Sequence, residues 1–179
     1  MNQKTNSIST QITISKMDSK MIEHTVYYDG TQQWCLNGKY HREDGPAVIY
    51  LNGSQEWCLN GKRHREDGPA LIYSNGIQEW WLNDELHRED GPARVDPNGT
   101  QSWYQIGQLH RTDGPAIISP HGYQAWYQNG KRHRIDGPAV IKANGDEEWW
   151  INGIQHHVIQ YEPKNKFNIN TNHNIKDGF

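Results

Sequence analysis

The chain has 179 residues, about one domain's length, of which 34% are apolar, and its formal net charge is −3. That charge excludes a basic footprint for nucleic acid or an anionic membrane, no apolar run approaches the roughly 20 residues that cross a bilayer, and two cysteines exclude a disulfide framework. Mean hydropathy of −1.00 leans toward disorder, but eight Trp, nine Tyr and seventeen Gly predict a thin, turn-rich β structure packed largely by aromatic rings.

Residues 1–24 form a polar Ser/Thr/Gln/Lys segment in which Ile12-Thr13-Ile14 can add a strand. Residues 1–30 hold no continuous apolar stretch, so neither a secretory leader nor an anchor is expected, and the expected compartment is a reducing cytoplasm. The triplets at Asn52 and Asn98 match a glycosylation acceptor, but turn-rich repeats generate such triplets on their own.

From residue 25 to 157 the sequence repeats every 23 residues. Trp34, Trp57, Trp80, Trp103, Trp126 and Trp149 keep this step, as do His41, His64, His87, His110, His133 and His156. Asp-Gly-Pro-Ala recurs from Asp44, Asp67, Asp90, Asp113 and Asp136. Within residues 48–70, Asn52-Gly53 separates Val48-Ile49-Tyr50 from a strand over 55–59, and Asn60-Gly61 separates that strand from Lys62-Arg63-His64. Asn-Gly predicts type I′ hairpin turns, whose two central residues both need positive φ. Asn83-Asp84 and Ile106-Gly107 are imperfect versions of the second turn. Asp-Gly-Pro ends one strand and opens the next, because Pro has no N–H and its ring pushes the preceding residue out of the helical region. The fold expected is all-β, an elongated antiparallel β-meander solenoid of six hairpin units. At about 4.8 Å per strand and two strands per unit it extends roughly 55–60 Å. Residues 158–179 form an Asn-rich C-terminal tail.

Alternation assigns faces. The Trp row, Ala47, Ala70, Ala93, Ala116 and Ala139, and the Ile/Val two residues after each Ala, are expected on the packed face. Six buried indoles, each contributing at most roughly 5 kcal/mol, could hold a single-layer rod. The other face is apolar but variable. After each Trp come Cys35, Cys58, Trp81, Tyr104, Tyr127 and Trp150, and the following strands bring Val48, Leu71, Arg94, Ile117 and Val140.

Trp57, Asn60, Gly61, Lys62 and His64, followed by Tyr73, Asn75 and Gly76, form a pattern that resembles MORN-type repeats over roughly residues 26–157. The units depart from it by a Trp-to-Asn spacing one residue longer and by Arg-Glu-Asp-Gly-Pro-Ala after the His, where MORN repeats carry Gly. His-Arg-Glu-Asp-Gly-Pro-Ala units are also similar to those of uncharacterised phage, large-virus and bacterial proteins. The resemblance implies a rod of stacked hairpins that scaffolds a protein partner, with some bacterial variants neutralising toxins.

Three further patterns invite chemistry. His41 with Asp44, repeated in each unit, suggests a metal or acid–base site, but equivalent residues roughly 10 Å apart cannot share one ion. Arg42, Arg65, Arg88, Arg111 and Arg134 form a ladder that reads either as a binding row for a nucleotide or another phosphate compound or as internal ion pairing with neighbouring Glu and Asp. Residues 26–157 hold twelve Lys and Arg against seventeen Asp and Glu, a net of −5. Trp81, Arg94, Tyr104, Tyr127 and Trp150 read either as a second core layer or as an exposed stripe for a partner. Cys35 and Cys58, one unit apart, are too distant for a disulfide. No nucleophile elbow, phosphate loop or catalytic carboxylate pair appears. The functional expectation is a non-enzymatic, cofactor-free scaffold that binds a host or toxin protein, with no nucleic-acid or membrane partner. Homodimers could form through the sheet ends.

Overall fold

A computed structural model describes residues 11–17 and 20–156. The predicted tail at 158–179 lies outside the described residues, as do residues 1–10. The described residues form strands and turns with no helix, and an antiparallel 15-stranded sheet runs the length of the repeat array, so the expected meander is what the chain forms. The polar segment does more than the sequence suggests. Gln11–Met17 and Lys20–Val26 pair as a hairpin, and the second of these strands pairs with Gln32–Leu36 of the first unit. The boundary at residue 25 is therefore not a boundary of the sheet.

Each internal unit splits into two short hairpins rather than one long one. In the second unit Val48–Ile49 pairs with Gln55–Glu56, which in turn pairs with Leu71–Ile72 of the next unit. These pairings carry the long sheet. The chain leaves it at Trp57, and Cys58–Leu59 pairs with Lys62–Arg63 in a separate two-stranded arm. The strand expected over 55–59 is thus broken at its Trp, and only the end units keep it whole, as Gln32–Leu36 and Glu147–Ile151. Trp57 is the joint: its N–H donates to Ala70, at the bend before the next sheet strand, and its carbonyl accepts from His64 at the base of the arm.

The arms are stitched to one another by two backbone bonds per step. Arg42 N donates to Cys58 O and Gly61 N to Tyr40 O; one unit on, Arg65 N donates to Trp81 O and Asp84 N to Arg63 O. The same pair of bonds recurs at every step to Trp150 and Gly153. Each unit therefore meets its neighbour through both layers, which explains why a 23-residue piece with so little core depends on a stack.

The two turns differ. In the arm, Asn60 and Gly61 have φ of 54° and 83°, as a type I′ turn requires. In the sheet, Gly53 alone is left-handed, at 85°; it donates to Tyr50 O, and Tyr50 N pairs with Ser54 O. That is a type I turn closed by a left-handed Gly, not the type I′ turn expected from Asn-Gly. Asn52 serves a different purpose, since its Oδ1 accepts from Ser54 N.

Packing also corrects the assignment of faces. Ala47, Ala70, Ala93, Ala116 and Ala139 are fully buried, as expected, but so are Val48 and Val140, and Leu71 is nearly so. These three belong to the face read as variable. The Trp row is only partly buried, and Ile49, Ile72, Val95, Ile118 and Ile141 are partly exposed. The two-residue strands are the cause. Ala lies at the bend before its strand, so the alternation counted from Ala to the Ile two residues on crosses a break. The register instead aligns Val48, Glu56, Leu71, Glu79, Arg94 and Ser102 across the sheet on the arm side.

Candidate functional site

The repeated His-Arg-x-Asp-Gly-Pro segment builds a clasp around the first five Trp of the row. The Arg65 guanidinium stacks 4.2 Å from the Trp57 ring centre, donates from Nε to Asp67 at 2.8 Å, and donates from Nη1 to Pro69 O. Arg42, Arg88, Arg111 and Arg134 repeat all three contacts on Trp34, Trp80, Trp103 and Trp126. Trp thus forms the floor, Arg the cover, and Asp and the Pro carbonyl the latch. Arg lies over the Gly: a Cβ on Gly68 would sit 2.9 Å from Arg65 Cζ, so a side chain there would push the guanidinium aside. The Arg hydrogen bond holds the Asp44, Asp67, Asp90, Asp113 and Asp136 carboxyls below the ordinary value of 3.8. The Arg ladder, read either as a phosphate row or as internal ion pairing, is engaged by carboxylate, carbonyl and indole in each of these five units.

The imidazoles join neighbouring units. His41 Nδ1 accepts from Asn60 N at 3.1 Å; His87, His110 and His133 accept likewise from Ile106, Asn129 and Asn152 at 3.2 Å. Each ring bridges to a turn nineteen residues on, a partner that no local pattern shows. Among the described residues, no three His, Cys, Asp or Glu side chains converge as a metal site.

Between successive clasps lie clefts that share walls and run in a row. The first is bounded by Arg42, Asp44 and Gly45 on one side and Arg65 and Asp67 on the other, with Trp57 and Leu59 as its floor. Three more follow, floored by Trp80 and Leu82, Trp103 and Gln105, and Trp126 and Gln128. In chain order their volumes are about 640, 620, 480 and 630 Å³. They repeat at the step of the units, about 9.6 Å for two strands.

The predicted stripe lines none of these clefts. Its members are partly buried and engaged with a row of acidic side chains that sequence reading missed. Glu79, 4% exposed, accepts from both Trp81 Nε1 and Arg94 Nη1. Trp150 Nε1 donates to Glu148, Arg132 bridges Glu148 to the Tyr127 hydroxyl, and Tyr104 lies within electrostatic reach of Arg94 and Tyr127, its phenol pushed up mainly by burial. Glu56 is held by Arg63 at 2.6 Å and by the Tyr50 hydroxyl. The Glu directly before Trp in three units, as Gln-Glu-Trp twice and Glu-Glu-Trp once, was the available signal, but Glu before a predicted core Trp reads as solvent-facing. Cys35 and Cys58 are free thiols, and burial, then Glu56, pushes Cys58 up to about 12. No family of known proteins matches the chain, and no curated protein matches it.

Proposed function

We propose that the chain is a non-enzymatic scaffold that binds a protein partner along the row of clefts between its clasps. The observation that carries this reading is the repetition of four Trp-floored clefts in one line. Identical catalytic sites would gain nothing from such alignment, whereas an extended partner engages several weak sites at once and gains affinity through avidity. Repeat arrays present extended surfaces of this kind. The resemblance to MORN-type repeats points the same way, with a host or toxin protein as the expected class of partner.

The experiment is affinity capture from a cell extract by three immobilised proteins, each shown to be folded. They are the parent chain, a variant with Gln105→Trp and Gln128→Trp, and a variant with Tyr104→Ala and Tyr127→Ala. Gln105 and Gln128 are exposed cleft-floor positions where an indole fills the space. A protein retained by the parent and the Tyr variant, but lost by the filled variant, supports the clefts. Retention by the filled variant with loss by the Tyr variant moves binding to the stripe, and equal retention by all three removes both surfaces.

A further inference from the structure

We infer that the partner is a proline-rich segment carrying Lys or Arg, docked along the clefts as a polyproline II helix; this rests on the scaffold reading above. The first argument is an occupant supplied by the chain itself. In the first unit the Trp34 ring is sandwiched: the Arg42 guanidinium lies 4.1 Å from its centre, and the His24 imidazole stacks at 4.2 Å with 9° between planes. Groups this close to one ring centre cannot share a face. Trp57, Trp80, Trp103 and Trp126 keep the Arg cover, but a cleft takes the place of His24. The indole face turned toward the preceding clasp therefore suits a flat, apolar or cationic group.

The second argument is length. A polyproline II helix has three residues per turn and rises 3.1 Å per residue, so equivalent side chains recur about every 9.3 Å. Two strands of the sheet advance about 9.6 Å. Over the three steps between the first and last clefts the mismatch accumulates to only about 1 Å, so one residue in three can meet a Trp in every cleft. An extended strand, in contrast, turns alternate side chains away. Proline-rich segments bind aromatic-lined grooves because their conformation is preformed and little ordering is needed, and their unpaired carbonyls can accept from side-chain donors of the cleft walls.

The third argument is charge. The rims of the first two clefts carry Glu43, Glu66 and Glu89, of which Glu66 and Glu89 have side chains 84% and 86% exposed, each near a His Nε2 at 3.6 and 3.8 Å. Asp67, Asp90, Asp113 and Asp136 are 77–83% exposed despite their Arg partners. The last cleft has Thr112 and Ile135 at the Glu positions. The row is thus acidic at its first clefts and neutral at its last, which favours basic residues at the first clefts.

The test uses the full chain and a labelled peptide of about five Pro-Pro-Lys repeats, with binding read by fluorescence anisotropy at low salt. Saturable binding is expected, weakened about tenfold or more by Glu66→Lys with Glu89→Lys and by Gln105→Trp with Gln128→Trp, each variant having an unchanged circular dichroism spectrum. A Gly-Gly-Lys peptide of equal charge and a Pro-Lys peptide of two-residue period should each bind about tenfold more weakly. Equal binding of Pro-Pro-Lys and Gly-Gly-Lys overturns the inference, since charge alone would then suffice. So does the absence of Pro-Pro-Lys binding, and if cleft-dependent capture of a cellular protein persists in that case, the scaffold reading survives without it.

Discussion

Ile106 stands where the other arm turns have Asn. Its φ is 48°, beside 49–54° for Asn37, Asn60, Asn83, Asn129 and Asn152. The left-handed region costs an L side chain roughly 1–2 kcal/mol, most of all one branched at Cβ, and Asn is among the few residues that enter it readily. The Ile106 side chain is 66% exposed, so little apolar burial offsets this cost. Its N–H donates to His87 Nδ1, and Gly107 N donates to Leu86 O. Both bonds are made by the backbone and survive substitution. Ile106→Asn should therefore stabilise the chain by about 1 kcal/mol, raising Tm by about 2–4 °C for a protein of this size. Urea unfolding followed by Trp fluorescence measures it. The reverse change, Asn129→Ile, should cost about the same, because Asn129 has φ of 49° and the same bond to the preceding His. An Ile106→Asn variant no more stable than the parent would refute the reasoning, for it would mean that the turn carries no strain.

Gly68→Ala should cost about 1 kcal/mol rather than give the usual small gain, because the new methyl displaces Arg65 from Trp57; in an Arg65→Ala background the loss should vanish, as a thermal double-mutant cycle can show. The clasp carboxyls have folded values below 3.8, so the stability they contribute is fully present above about pH 4 and is lost as pH falls through those lowered values. An acid titration of Tm should show this fall, and it should be shallower in an Arg88→Gln variant. Trp80→Ala should cost about 2–3 kcal/mol in urea unfolding, less than the loss of a fully buried ring, because its indole is partly exposed beneath Arg88. Cys58 should resist iodoacetamide at mildly alkaline pH in the folded chain and react once the chain is unfolded by urea, since its buried thiol is pushed up to about 12.

The meander is legible in the sequence because the 23-residue step and the paired turn signals are strong, local and repeated. The second layer is not. A run such as Gln55-Glu56-Trp57-Cys58-Leu59 has the composition of one strand, and nothing in it marks Trp57 as the joint where the chain leaves the sheet. Once the strand breaks, alternation fails, which is why Val48, placed by alternation on the variable face, proves fully buried. The Arg ladder is visible as a pattern, and internal pairing is one of its two readings, but the indole beneath each guanidinium is not, since Arg65 and Trp57 are eight residues apart on opposite sides of the arm hairpin. The His bonds to the next arm join residues nineteen apart and follow from stacking rather than from any motif. The clefts, too, are spaces between units, and a sequence read one unit at a time contains no trace of them.

The strands lie across the length of the array and succeed one another in chain order, so a load applied to the two termini acts along the inter-strand hydrogen bonds rather than shearing the strands past one another. Such bonds break in succession, starting at an end, and never need to fail together. Released units would each yield up to roughly 80 Å of slack, 23 residues at about 3.5 Å apiece. The array would then behave as a soft, extensible tether that lengthens in regular increments under small forces, rather than as a stiff strut. A partner spanning several clefts would bridge neighbouring units and make the same array harder to stretch.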